Sequence, residues 1–443
     1  MVQIADRAPL RAVASPTESE TVVTAAFGAD QFADQFADLD RAELAILLRE
    51  WLLHGHLQDR VGIPLLYQHG VDREGAEQIA IDEWAAASPL YSLRMQETMG
   101  FGGQSVVAIV KNLQIDIGAP PQYMDFQITV TDENHAVFEL GHCGALMDVE
   151  PMGDEWVKGM CHTIEDPTFD ATAAATSPYA VMRPIHRPPR TPSDRMPHCA
   201  WRIDIDPSTE PAVAHPNLAI VGASLAATLP VTAIASESDP DGRVGYPDTF
   251  DPALRFEDFS RATLLAALTE VALQSHLLFR SYLLSVSERV SPEVAGELGP
   301  RVLTGIAPIT AERLMRAFGI TETDVPAIAR VLALHPSFQP PEYVTTTVET
   351  FDEARIRFSV SPSPMFEETD DFVWLAGLIH DGDRAVAALA RAVNPLADAV
   401  PVKARDGELV AYEITVDAAA SPKLEEAETA LARFSGAATF EFH

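Results

Sequence analysis

The chain has 443 residues, a formal net charge of −34 at pH 7 and a pI near 4.6. This length is sufficient for two or three domains, and the hydrophobic fraction of 47% is typical of a protein with a buried core. The strongly acidic balance argues against nucleic acid or an anionic membrane surface as a partner, because both require a basic protein face.

Cysteine usage and hydropathy indicate a soluble, cytoplasmic protein. The three cysteines cannot all pair with one another, which is typical of a reducing compartment. The first 15 residues lack the continuous apolar core of a signal peptide. No apolar run approaches the roughly 20 residues that a membrane helix needs.

The sequence pattern of the first 206 residues predicts a mixture of helices and strands. Residues 1–38 are rich in Ala, Ser, Thr and acidic residues, and we expect them to be mobile. Asp40 is a good N-cap with Glu43 three residues later, so a helix is predicted from Asp40 that ends before Gly62 and Pro64. Further helices are predicted over 73–87, 92–98, 104–114 and 155–175. Strands are predicted over 123–131, 136–143, 179–185 and 199–205, of which the first two form a hairpin.

The chain repeats itself at an offset of about 220 residues. Residues 41–60 and 261–280 are identical at nine of twenty positions, and Pro120 to Tyr123 corresponds to Pro340 to Tyr343. We therefore predict an α+β fold made of two tandem, internally duplicated modules that pack as a pseudo-dimer. The predicted divisions are 1–38, 39–206 for the first module, 207–254 for a linker and 255–443 for a second, degenerate module.

All three cysteines belong to the first module, and each has a histidine neighbour. The pairs are His142-Cys143, Cys161-His162 and His198-Cys199. Thiolate and imidazole bind borderline-soft metals, which predicts a zinc site, or alternatively an iron site. Neighbouring side chains on a strand point to opposite faces, so we expect the sulfurs of Cys143, Cys161 and Cys199 as ligands, with His186 or His162 as the fourth. The alternative is that the cysteines are small buried hydrophobic residues.

The repeat separates shared residues from residues that one module has alone. Ser363, Ile379 and Val410 stand in the second module where the first has its three cysteines. This difference fits a metal site that the second module lacks, or ordinary divergence of core residues. His162 recurs as His380, which favours a structural hydrogen bond over a ligand role.

Charged residues near the cysteines suggest a reaction site. Glu165 follows Cys161 by one helical turn, so Glu165 and His162 are candidate catalytic residues, with Glu165 as a general base on a metal-bound water. Glu165 has the alternative role of capping its helix. Arg183, Arg187 and Arg190 lie in a proline-rich loop and are candidates for binding a substrate anion. The alternative is that these arginines pair with the protein's own carboxylates.

The cysteine region resembles the four-vinyl-reductase domain family and the related aminothiazoline-carboxylate hydrolase-like proteins. Cys161 matches the family's helix-opening cysteine, and Cys199 in "CAWRIDI" matches its final cysteine. His186 stands in for the middle cysteine. The second-module stretch "FVWLAGLIHDGDRAVAALARAVNP" matches the family helix without its cysteines. The resemblance implies a ligand-binding α+β module with zinc near a small-molecule pocket.

Two functions are consistent with these patterns. The first is a metal-dependent enzyme, most plausibly a hydrolase, that acts on a small carboxylate-bearing molecule. The second is a non-catalytic small-molecule binding or sensing protein with a structural zinc site. Both predict a small-molecule ligand, no nucleic acid and no membrane, and both allow a homo-oligomer.

Overall fold

The computed structural model describes residues 35–443 except 239, 353, 381 and 382, and leaves the side chains of 379, 380 and 383 undescribed. The fold is α+β, as predicted, with two separate four-stranded antiparallel sheets. Most of the stretch predicted to be mobile, 1–38, lies outside the described residues. Phe36 and Leu39 are nevertheless buried in the core, so the packed structure begins before residue 39.

The helices and strands of the two halves follow the same order. The first half contains α1 (Arg41–Gln68), α2 (Arg73–Met99), α3 (Val106–Leu113), β1 (Met124–Val130), β2 (His135–Cys143), α4 (Gly144–Val149), α5 (Asp154–Lys158), a π-helical segment (Gly159–Ile164), α6 (Glu165–Thr176), β3 (Ala180–His186) and β4 (Cys199–Ile205). Two short helices follow, α7 (Pro216–Gly222) and α8 (Leu225–Thr228). The second half contains α9 (Arg261–Arg289), α10 (Pro292–Ala317), α11 (Val325–Leu334), β5 (Thr345–Asp352), β6 (Arg355–Ser361), α12 (Ala376–His380), α13 (Asp383–Val393), β7 (Ala397–Val402), β8 (Val410–Val416) and α14 (Ala427–Arg433).

The start of α1 is as predicted, but its end is not. The side chain of Asp40 accepts a hydrogen bond from the Glu43 backbone N–H, and the Glu43 carboxylate accepts one from the Asp40 N–H. The predicted stop before Gly62 is wrong, because α1 continues through Pro64 to Gln68. Likewise, the helices predicted over 73–87 and 92–98 are one helix, α2, which runs through Pro89. A proline inside a helix costs about 3 kcal/mol. In α1 and in α2, residues before and after the proline are buried, and this burial offsets the cost.

The two sheets have the same topology. Their strand orders are β1-β2-β4-β3 and β5-β6-β8-β7, and every neighbouring pair is antiparallel. The predicted β1–β2 hairpin is confirmed, with Ile128 opposite Phe138, and Val348 is opposite Phe358 in the second sheet. A common order of elements is what an internal duplication requires. The duplication itself stays a prediction.

The long helices of the two halves pack against one another. Helix α2 lies along α9, and α1 lies along α10, so that one hydrophobic core extends through both halves. Helix α9 is long and apolar enough to cross a membrane, yet 94% of its apolar window is buried inside the protein. This is the environment of the core helix of a soluble protein.

Two buried ion pairs link the halves in a reciprocal way. Arg94 of the first half donates two hydrogen bonds to Glu270 of the second, at 2.9 and 3.0 Å. Arg313 of the second half donates two to Glu50 of the first, at 2.7 and 3.0 Å. A bidentate guanidinium–carboxylate pair needs a fixed geometry, so these contacts define how the halves meet.

The stretch predicted as a linker, 207–254, is structured in part. Helix α7 packs against α2 and α9, and Arg94 donates to the backbone carbonyls of Ala227 and Leu229. At the corresponding place, Arg313 donates to the carbonyls of Ala437 and Phe440, which follow α14. The segments that follow the two sheets therefore dock in equivalent ways, each contacting both its own half and the opposite one.

Candidate functional site

The three cysteines converge near Glu165. Cys143 ends β2, Cys199 begins β4 and Cys161 lies in the π-helical segment, and all three are buried and free. Burial raises the pKa of the Cys161 thiol, and Glu165, Cys143 and Cys199 raise it further. Burial also raises the pKa of Cys143 to about 12. Burial likewise raises the pKa of Cys199, so the environment favours the protonated thiol over the thiolate at all three positions.

The predicted metal set is brought together only in part. His186 is half-buried at the end of β3, and the charges that act on its pKa are Arg195 and Glu139 rather than the thiols. Within the described part of the chain, no group of three or more His, Cys, Asp or Glu side chains has the arrangement of metal ligands. Zinc or iron binding stays a prediction.

The histidines beside the cysteines have other contacts. His162 Nε2 lies 2.7 Å from the carbonyl oxygen of Pro188, so its imidazole ties the π-helical segment to the proline-rich loop. His142 and His198 lie near each other, with ring centroids 6.4 Å apart, and His142 stacks on Phe440. His162 therefore has a structural contact, as its recurrence in the second half suggested. The side chain of its counterpart, His380, lies outside the described residues.

Each predicted substrate-binding arginine pairs with a carboxylate of the protein. Their closest contacts are Arg183 to Asp170 at 2.7 Å, Arg187 to Asp166 at 2.5 Å and Arg190 to Glu150 at 2.6 Å. None of the three lines the cavity described next. This arrangement matches the alternative expectation, that the loop arginines are neutralised by local acids.

The first half contains a large cavity of about 680 Å³. Its wall is built by α1, α2, α4, β1 and the helix that runs from α5 to α6, and Leu431 of α14 lines it from the second half together with Phe434 and Ser435. Most of the lining is apolar: Ile63, Pro64, Tyr67, Ala80, Trp84, Leu113, Ala119, Met124, Phe126, Ala145, Met147, Val149, Pro151, Met152, Trp156, Met160, Ile164, Phe169, Leu431 and Phe434. Four of these are methionines, whose flexible side chains adapt to ligands of different shape.

The charged groups of the cavity wall are mostly paired. Arg60 Nε lies 2.7 Å from Asp148 Oδ2, and Arg73 lies 3.6 Å from Glu77. Asp116 accepts hydrogen bonds from the Gly118 N–H at 2.7 Å and from the side chains of two neighbours on α2 and α3. Burial raises the pKa of Asp116 to about 6, against the effect of these hydrogen bonds.

Glu165 is the exception. Its carboxyl group faces the cavity and has no hydrogen bond to any other described side chain or backbone group. Burial raises the pKa of Glu165 to about 8, and Asp166 adds to this effect while Arg187 opposes it. Glu165 is half-buried, and it lines the cavity.

Asp59 and Glu83 form a second acidic feature of the wall. Burial raises the pKa of both carboxyl groups, and a hydrogen bond between them raises that of Glu83 and lowers that of Asp59. Asp59 Oδ1 and Glu83 Oε2 have no donor from another described residue. Two carboxyl groups can hydrogen-bond to each other when one is protonated, which agrees with the raised pKa of Glu83. Trp84 Nε1 donates to the other oxygen of Asp59 at 3.1 Å.

The π-helical segment places Glu165 against the cavity. It lies between α5 and α6 and carries Met160 and Ile164, which also line the wall. π-Helical segments are uncommon in proteins, and those that do occur often lie at functional sites. At its start, Gly159 approaches α2 closely, and a Cβ atom there would lie 2.3 Å from Glu77 Oε1.

The corresponding region of the second half is filled. Phe279 stands in α9 where the repeat has Asp59 in α1, and Trp374 where it has Trp156. These two rings stack with centroids 3.7 Å apart, and both are fully buried. A pocket of about 10 Å³ lies beside α10, α12 and α13, where Gly377 packs on Pro300.

Glu165 is a cavity residue that the sequence predicts as a site residue, whereas most of the cavity wall carries no such signal. Asp59 could have been found from the sequence, because it aligns with Phe279 and differs from it within the stretch where the two halves are most similar. Asp116 and Glu77 have no such signal. Glu77 lies in α2 and Asp116 in the segment before β1, and only the tertiary packing brings these two parts of the chain to the same cavity. No protein-family model, no curated protein and no solved structure matches the chain. The resemblance to the four-vinyl-reductase domain family therefore stays an expectation.

Proposed function

We propose that this protein binds a small, mainly apolar molecule in the cavity of its first half. The observation that carries the proposal is the contrast between the halves, in which one has a cavity of about 680 Å³ and the other has stacked rings at the positions that the repeat aligns with Asp59 and Trp156. Small-molecule sites have volumes of about 300–1,000 Å³ and mostly apolar walls with a few polar groups. An apolar space of this size is costly to keep without an occupant.

The test uses Nile red, a neutral dye whose fluorescence rises in apolar surroundings. We expect saturable binding at one site. Thr172→Phe places a ring in the cavity from α6 and should weaken binding at least tenfold. Ala174→Phe on the same helix does not face the cavity and serves as the matched control. Absence of saturable binding, or an equal loss in both variants, would contradict the proposal.

A second candidate is a metal-dependent enzyme, most plausibly a hydrolase of a carboxylate-bearing molecule. The convergence of Cys143, Cys161 and Cys199 on Glu165 supports it. These thiols would hold zinc or iron, which would supply Lewis-acid chemistry, and Glu165 would hold a proton beside the site. Metal analysis of the purified protein should then give about one equivalent, and a Cys161→Ser, Cys199→Ser variant should lose it. If the purified protein contains no metal but still binds Nile red, the metal-dependent enzyme is rejected and only the binding function remains.

We also propose a cytoplasmic location. The three cysteines are free thiols, which persist in a reducing compartment. Labelling of unfolded protein with a thiol reagent straight after cell lysis should modify all three.

A further inference from the structure

We infer that the cavity selects an amine, a positively charged group on an apolar body, and that Glu165 is its partner. The inference rests on the proposed function, because it names the class of ligand for the same cavity. It is drawn from the balance of charges on the cavity wall.

The two cations of the wall already have partners. Arg60 pairs with Asp148 and also donates to His56 Nε2 at 2.8 Å. Arg73 lies between two glutamates, Glu77 at 3.6 Å and Glu155 at 3.5 Å. Neither guanidinium is therefore available to neutralise a ligand anion without giving up a contact within the protein.

The carboxyl groups of the wall outnumber these cations. Five acidic residues line the cavity, Asp59, Glu77, Asp116, Asp148 and Glu165, against two arginines. Two of the five are the arginine partners, Asp116 accepts three hydrogen bonds, and Asp59 accepts one from Trp84 Nε1 at 3.1 Å.

Glu165 is then the one cavity carboxyl group for which the described residues provide no direct partner. Its nearest cation, Arg187, is held by Asp166 at 2.5 Å and is not part of the cavity wall. An uncompensated carboxyl group in an apolar space is costly, and the cost falls when a charged donor pairs with it.

The same balance disfavours a carboxylate ligand. Its negative charge would further oppose ionisation of Glu165, and no unpaired arginine lines the cavity to offset that charge. A neutral apolar ligand would fill the space but would leave Glu165 without a partner. An ammonium group on an apolar body satisfies both the carboxyl group and the apolar wall.

The experiment compares three ligands with the same ten-carbon skeleton: decylamine, decanol and decanoic acid. Each competes with Nile red at pH 7.5, below its aggregation concentration. We expect decylamine to bind at least tenfold more tightly than the alcohol or the acid. Glu165→Gln should remove this preference while Nile red still binds. Glu77→Gln is the matched control, because Glu77 also lines the cavity but has Arg73 as its partner, and it should keep the preference.

The possible failures are distinguishable. If Nile red binds but decylamine shows no advantage, or if Glu165→Gln keeps the advantage, the inference is overturned and the binding cavity stands. If Nile red itself does not bind to the unaltered protein, the proposed function fails and the inference fails with it.

Discussion

The two halves of this protein have the same order of elements and differ in what they enclose. Where α1 of the first half has Asp59 facing an open cavity, α9 of the second half has Phe279 stacked on Trp374. Trp156, which the repeat aligns with Trp374, instead lies at the cavity wall with its ring edge against Tyr67. The comparison teaches that a few side chains decide whether this arrangement of helices is hollow or solid.

The features that the halves share lie where they meet. Arg60 pairs with Asp148 in the first half, and Arg280 lies 3.6 Å from Glu368 in the second. Each of these acids also accepts hydrogen bonds from the docking segment of the opposite half, at Gly436 and at Leu225. These residues hold the assembly together, whereas Glu165 and Asp59 belong to the cavity alone.

The largest expected effect concerns the shared interface. Arg94→Ala and Arg313→Ala each leave a buried glutamate unpaired, and each should lower the free energy of unfolding by about 3–5 kcal/mol. Urea denaturation measures both. A cost in one half and none in the other would break the equivalence of the two pairs.

The next effect concerns the filled region. Trp374→Ala removes a fully buried ring and should cost about 3 kcal/mol, and it should open a second Nile red site. Trp156→Ala, at the half-buried cavity wall, should cost about 1 kcal/mol. Calorimetry and dye titration give both quantities, and equal costs for the two tryptophans would contradict the distinction between solid and hollow halves.

A smaller effect concerns pH. The pKa of Glu165 is about 8 in the folded protein and near 4.5 for an ordinary glutamate, so the folded state holds its proton more tightly. The stability that this provides is complete below pH 4.5 and is lost as the pH rises towards 8. Relative to the unaltered protein, Glu165→Gln should therefore become progressively more stable as the pH rises from 5 to 8, by a few kcal/mol at most. Denaturation of both proteins at pH 5 and pH 8 tests this, and an equal difference in stability at the two pH values would contradict it.

The smallest effect concerns the proline-rich loop. Arg183→Ala and Arg190→Ala remove ion pairs that are partly exposed to solvent, so each should cost about 1 kcal/mol or less. Neither should change Nile red or decylamine affinity, because neither residue lines the cavity. A tenfold loss of ligand affinity would restore the earlier hypothesis of an anion-binding loop.

Local sequence patterns predicted the elements but not all of their ends. The Asp40 capping box and the β1–β2 hairpin depend on neighbouring residues, so they were readable. The sequence predicts a helix end before Pro64 and a break between residues 87 and 92, around Pro89, and a proline does remove a backbone hydrogen bond. Both helices continue through their prolines because burial against other helices compensates for that loss.

The sequence by itself determined the α+β class, the repeat of about 220 residues and the confinement of the cysteines to one half. Each follows from composition, periodicity or self-similarity, which need no knowledge of distant contacts. The tertiary structure alone decided that α2 packs on α9, that Arg187 pairs with Asp166 and that Glu165 faces an apolar cavity. A partner and a cavity depend on residues brought together from far apart in the chain, and no local pattern records which carboxyl group is left without a cation.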